Sequence, residues 1–167
     1  TLKIPSKLQR ISDYTFSKCI SLTEIKIPGN IREIGYKSFS GCSGLREISI
    51  PSTVKTVGIG AFENCTELKD ISLPTTLTEI NYYTFSGCTS LTTLTLHSKL
   101  TAINNYAFAG CKSLTEIHCK NSNPPLIGEN TFRDVNRIGC KIFVPSKRAK
   151  KSYSTALYWN EFTIYIE

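Results

Sequence analysis

The chain has 167 residues, a net charge of +7 and an isoelectric point of about 9.1. Apolar residues make up 40% and charged residues 20%, which excludes an intrinsically disordered chain. No apolar run approaches the ~18 residues that a transmembrane helix needs. A basic balance permits contact with nucleic acid or an anionic surface without requiring it.

The opening segment, TLKIPSKLQRI, lacks the basic, apolar and small-residue regions of a secretory signal. Its first residues align with EIKIP at Glu24 to Pro28, so the chain is expected to open in the middle of a repeat of a longer array. The apolar edge left there would need a preceding repeat or a cap.

From that point a 23-residue step governs the sequence. Phe16, Phe39, Phe62, Phe85 and Phe108 keep it, as do Cys19, Cys42, Cys65, Cys88 and Cys111. Leu22, Leu45, Leu68, Leu91 and Leu114 follow at the same step, and four further apolar columns lie in register. Internal repetition at this period marks a solenoid, in which no coil can bury its apolar face alone.

Within each unit, L-x-x-I-x-I alternates with period two near its end. This predicts a short strand with Ile25 and Ile27 inward and Glu24 and Lys26 outward. Pro5, Pro28, Pro51 and Pro74 close that strand, because proline cannot donate to a ladder. The next half, such as VKTV at Val54 to Val57, turns two more apolar groups inward. The AFENC or TFSGC segment supplies a turn or short helix, with Phe and Cys both pointing in. Stacked coils should form one parallel sheet with strands ~4.8 Å apart.

The unit loosens after Cys119. Phe132 stands 24 rather than 23 residues beyond Phe108, marking a degenerate sixth coil. CKIFVP reads as a strand with Ile142 and Val144 on one face. Ser146 is a candidate N-cap for KRAKKSYSTALY. That helix would carry Tyr153, Leu157 and Tyr158 over the last coil, and residues 162–166 read as a final strand. The expected organisation is five repeats over 1–119, a degenerate sixth over 120–144 and a cap over 145–167.

The repeat IPSTVKTVGIGAFENCTELKDISLP (Ile50 to Pro74) and its copies resemble the BspA-like leucine-rich repeat. The ending is similar to that family's usual C-terminus, in Cys119, Pro124–Pro125, Phe132, Cys140, Val144–Pro145, Tyr153 and Trp159–Phe162. The resemblance implies an α+β solenoid: a right-handed leucine-rich-repeat coil, a parallel sheet of short strands, and a strand–helix–strand cap. It also implies a secreted or cell-surface bacterial protein, non-enzymatic and adhesin-like. Its partner would be a host or neighbouring-cell surface protein or glycan. Any membrane attachment would run through an anchor outside this segment. A structural spacer within a larger surface protein is the further alternative.

No Ser/His/Asp set, HExxH, P-loop or dinucleotide fingerprint occurs, so no catalytic residue, metal site or cofactor is assigned and nucleic acid is not the expected partner. The cysteine step of 23 fits no zinc spacing and reads as a ladder of small buried groups. Cys119 and Cys140 stand apart from it. They could form a disulfide that clamps the cap in a secreted protein, or rest as two buried thiols on adjacent strands. The histidines His97 and His118 read as surface residues.

Three outward surfaces remain as candidates. The first is a polar strip formed by Glu24, Glu47, Asp70 and Glu116 with Lys26 and His118, which is either a ligand strip or an ordinary solvated face. The second is an aromatic patch of Tyr82, Tyr83 and Tyr106, suited to protein or sugar contact unless the rings simply pack over the turn. The third is the basic set Lys147, Arg148, Lys150 and Lys151, read chiefly as a solvated helix face.

Overall fold

The computed structural model describes residues 2–167 and forms a β-solenoid of about seven turns with one short helix near the C-terminus. Thr1, part of the first predicted partial repeat, lies outside the described residues. In chain order the elements begin with β1 (Arg10–Ile11), β2 (Glu33–Ile34), β3 (Glu47–Ser49), β4 (Thr56–Val57), β5 (Asp70–Ser72) and β6 (Glu79–Ile80). They continue with β7 (Thr93–Leu96), β8 (Ala102–Ile103), β9 (Glu116–Cys119), β10 (Leu126–Ile127), β11 (Lys141–Val144), α1 (Lys147–Thr155) and β12 (Thr163–Ile166).

Two rows of parallel strands result, where one was expected. The longer strands pair as β3–β5 and as β7–β9–β11–β12. The two-residue strands pair as β1–β2–β4 and β6–β8–β10. The second row comes from the VKTV-type segment. Its two inward apolar groups leave an extended stretch between them, whose backbone bonds the coil on either side.

The F-x-x-C-x-x-L segment shows why a spacing of three serves the interior. Each Cys amide donates to the Phe carbonyl three residues back, and each Leu amide to the Cys carbonyl, as in Cys65 N to Phe62 O at 3.3 Å and Leu68 N to Cys65 O at 3.1 Å. Bonds from i+3 to i wind about three residues per turn, so Phe, Cys and Leu eclipse one another on the inner side. Successive coils are then joined directly: Phe39 N donates to Ala61 O at 2.8 Å, and Phe62 N to Thr84 O at 2.9 Å.

Stacked rings form the axis of the interior. Phe39 lies 5.2 Å from Phe62 with planes 8° apart, and Phe62 lies 5.4 Å from Phe85 at 4°. Phe16, Phe108 and the displaced Phe132 continue the column at 5.0–5.6 Å. The Cys ladder runs beside it. Cys65 Sγ donates to Phe39 O at 3.3 Å, and Cys42, Cys88 and Cys111 repeat the bond one coil along. A thiol is small, apolar and a weak donor, so it fills the slot and gives that carbonyl a second partner. Burial pushes the Cys42 thiol up to about 11 and Cys111 to about 12.

Tight turns need left-handed backbone at two positions per coil. Lys18, Gly41, Asn64, Gly87, Gly110 and Asp134 form one such column, with φ between 58° and 74°. Glycine, Asn and Asp tolerate this region best.

The cap closes the open end of the Phe column. Trp159 meets Phe132 edge-on at 5.8 Å, Phe162 does so at 5.6 Å, and the Trp159 indole N–H donates to Pro125 O at 2.8 Å. Ser146 caps α1 by accepting the Ala149 amide at 3.1 Å. The helix is shorter than the sequence implies and ends at Thr155. The chain leaves it through extended Ala156 and left-handed Tyr158, which swings Trp159 inward and leaves Leu157 exposed.

Cutting Phe62 to alanine removes a ring sandwiched between two others. Phe62→Ala should cost about 3–5 kcal/mol, read as a lowered denaturant midpoint. Six of the seven thiols are buried and only Cys19 is exposed. A thiol-alkylating reagent should therefore modify Cys19 alone in the folded chain and the remaining six only after unfolding, as counted by intact mass.

Candidate functional site

Alternation along each long strand sets the outward face. The inward side chains Ile48, Ile71, Leu94, Ile117 and Ile142 are buried in the interior, so their neighbours must point to solvent. Pairing then arranges those neighbours in rows. Glu47 stands opposite Asp70, Thr93 opposite Glu116, and Glu116 opposite Lys141. In the second row Lys3 bridges Lys26, Ser49 faces Ser72, and His118 lies between Thr95 and Phe143.

A groove of about 520 Å³ crosses the first coils of this face. Its walls include Glu24, Lys26, Glu47, Ser49, Asp70 and Ser72. Among the described residues, none of Glu24, Glu47 and Asp70 makes an ion pair. Arg46 and Lys69, which flank the carboxylates in sequence, are exposed and do not neutralise them at contact distance. Carboxylates one strand apart repel by about 1 kcal/mol per neighbouring pair in water, which a solvated surface tolerates.

The far end of the strip differs in character. His118 Nδ1 lies 2.8 Å from Glu167 Oε1, its Nε2 lies 3.4 Å from Glu116, and its ring stacks on Phe143 at 4.8 Å. Phe143 in turn packs against Tyr165 at 5.7 Å. Lys120 donates to Glu167 at 2.7 Å; this bond, then that of His118, holds the Glu167 carboxyl below the usual carboxylate range. Thus all six predicted strip residues share one face, split between a groove of mixed charge at Glu24 to Asp70, where Lys3 and Lys26 stand beside the carboxylates, and an aromatic, ion-paired end at Glu116 and His118. Lys120, Phe143, Tyr165 and Glu167 were not singled out from the sequence. For Phe143 the alternation in CKIFVP, with Ile142 and Val144 inward, carried the signal.

The three tyrosines of the candidate patch occupy two columns. Tyr83 and Tyr106 belong to one column and stack at 4.9 Å with planes 1° apart. Tyr82 belongs to the adjacent column, with Tyr36 and Ile59, and makes no ring contact with either. Tyr36 instead meets Tyr14 edge-on at 5.2 Å. Neighbouring residues in a tight turn diverge, and this separates Tyr82 from Tyr83.

Of the two readings open for Cys119 and Cys140, the structure has the buried thiols and not the disulfide. Both thiols are free and fully buried. Register explains it: Phe143 pairs with His118, so Val144 comes opposite Cys119, whereas Cys140 lies at the other end of β9 beside Thr115, where Lys141 N donates to Thr115 O. Four residues of strand offset exceed the Cα separation a disulfide spans.

His97 is buried rather than on the surface. It takes the place of the strand-ending proline, and its carbonyl accepts the Leu100 amide as Pro74 accepts that of Leu77. Its Nδ1 accepts the Lys99 amide at 3.3 Å, and its Nε2 is buried without a partner. Among the described residues, no group of three or more His, Cys, Asp or Glu could hold a metal ion, and no helix is long and apolar enough to cross a membrane.

Coil geometry, ring column and outward strip together define a leucine-rich-repeat solenoid. The sequence matches the BspA type leucine rich repeat region in six copies, over residues 1–115 and 33–160. The chain belongs to that family. No curated protein sequence matches it. Three solved structures show its standing. A leucine-rich repeat protein of Bacteroides ovatus is 24% identical, with a TM-score of 0.62 over 99% of this chain and 54% of its own. A leucine rich cell surface protein of Faecalibacterium prausnitzii is 26% identical, with a TM-score of 0.61 over 93% and 35%. A Treponema pallidum leucine rich repeat protein is 29% identical, with a TM-score of 0.66 over 70% and 57%. The chain spans between 35% and 57% of the length of these proteins.

Burial lowers the His97 pKa below its ordinary value. The folded state therefore resists a proton that the unfolded chain accepts. Stability is full above the unfolded value of about 6.5 and falls as pH drops through it toward the folded value. The thermal midpoint should decline from about pH 7 to about pH 5. His97→Pro, which restores the residue found at Pro28, Pro51 and Pro74, should fold and flatten that decline.

Proposed function

We propose that this chain is a non-enzymatic binding module of a secreted or surface-held bacterial protein, taking a protein partner along its outward strand face. The observation that carries this reading is the groove over the first coils, walled by Glu24, Glu47 and Asp70 together with Lys3 and Lys26, with none of the three carboxylates in an ion pair. Three carboxylates against two lysines leave this wall net negative, which favours a basic segment of a partner protein, and opposite potentials speed and select encounter. The rigid backbone holds the row in place before binding, which limits the ordering cost. A structural neighbour that is named a cell surface protein supports the extracellular setting.

A glycan reading through the tyrosines has less support, since Tyr83 and Tyr106 spend one ring face on each other. A purely spacing role would leave the groove without a ligand.

The test uses a panel of immobilised host extracellular-matrix and cell-surface proteins, with the chain as analyte. Glu24→Gln, Glu47→Gln and Asp70→Asn combined should weaken the strongest interaction by about tenfold or more without lowering the thermal midpoint. Undiminished binding by this variant would reject the strip, and saturable binding to no protein of the panel would favour the spacer.

A further inference from the structure

The cap helix carries a charge arrangement that its own stability does not call for. Lys147, Arg148, Lys150 and Lys151 are all exposed, and α1 has no acidic residue in its first turn. Among the described residues, none of the four makes an ion pair or a cation–π contact. Lys147 and Arg148 occupy the first turn, where the helix dipole presents its positive end and prefers anions. Lys147 and Lys151 are four residues apart, and Lys147–Lys150 and Arg148–Lys151 are three apart, so like charges meet along the helix surface. Every one of these placements opposes helix formation. The helix is nonetheless held, because Ala149 and Tyr153 are buried and Tyr153 meets Trp159 edge-on at 5.2 Å.

We infer that the outward face of α1 binds a linear polysaccharide bearing sulfate or phosphate groups, a site separate from the strand-face groove. At 100° per residue Lys147, Arg148 and Lys151 lie on the side opposite Ala149 and Tyr153 and Lys150 flanks them, so the four cations share one broad positive face. That face is convex, which suits a chain able to wrap round it. The only apolar side chains of α1 are Ala149 and Tyr153, both turned inward, so the helix has nothing to insert into a bilayer. It also lacks an exposed ring on which a nucleobase could stack. A bound polyanion would neutralise the repulsion along the helix and complete the electrostatics at its N-terminus.

The test measures retention of the chain on heparin against rising salt, beside a neutral dextran, phosphatidylglycerol vesicles and single-stranded DNA. The variant combines Lys147→Gln, Arg148→Gln, Lys150→Gln and Lys151→Gln. The wild type should bind heparin and not dextran, with salt-sensitive affinity, and the variant should bind roughly 100-fold more weakly. The variant's thermal midpoint should be equal or higher, since the removed charges oppose the helix. Heparin binding that survives the four substitutions, or is absent from the wild type, would overturn the inference. So would a lowered midpoint, which would make the cations structural. Vesicles or DNA bound more tightly than heparin, and released by the same substitutions, would also overturn the assignment to a polysaccharide.

Discussion

Closure of each coil on a fixed step is the constraint from which the rest of the structure follows. The coils are joined by backbone bonds such as Phe39 N to Ala61 O, and such bonds form only if the chain returns to an equivalent place every turn. Once it does, equivalent side chains are forced on top of one another. Phe rings then stack at about 5 Å, the same order as the strand spacing, because backbone and side chain share one repeat distance. The same closure orients the thiols of Cys42, Cys65, Cys88 and Cys111 toward the Phe carbonyl of the preceding coil, so the interior column satisfies polar as well as apolar needs.

This division of labour separates fold from function. Inward positions are tied to their neighbours above and below, and any change there is felt along the column. Outward positions share the regularity without the restriction. Rows of the strand face can therefore change from Glu47 and Asp70 at one end to Lys141, Phe143 and Tyr165 at the other without disturbing the coil. A groove and an aromatic, ion-paired end on one face of the solenoid are the consequence.

The fold was legible because the interior is periodic. Phe, Cys, Leu and Ile columns predicted both the register and the displaced sixth coil, in which Phe132 still stacks on Phe108 despite the extra residue. What periodicity could not reach was geometry set by backbone turns. The second strand row rests on two residues per coil, too few to show alternation. The fate of Tyr82 and Tyr83 depended on a left-handed residue between neighbouring columns, since Tyr83 has φ 59°. His97 reads as polar and exposed by type, yet it stands in a proline's slot where the turn buries it. Cys119 and Cys140 needed strand register, which the aperiodic cap does not announce. Site residues such as Glu167 and Lys120 become neighbours only when β12 docks beside β11.

Excising one repeat tests the closure rule most directly. Removal of residues 51–73 takes out one whole step and should bring Phe85 onto Phe39, leaving a shorter solenoid that still unfolds cooperatively. Removal of residues 51–68 takes out a partial step and should abolish that cooperative transition, because every column beyond the cut is out of register. If calorimetry found the two shortened chains equally folded, or equally unfolded, the idea that a fixed 23-residue step holds the coils together would be contradicted.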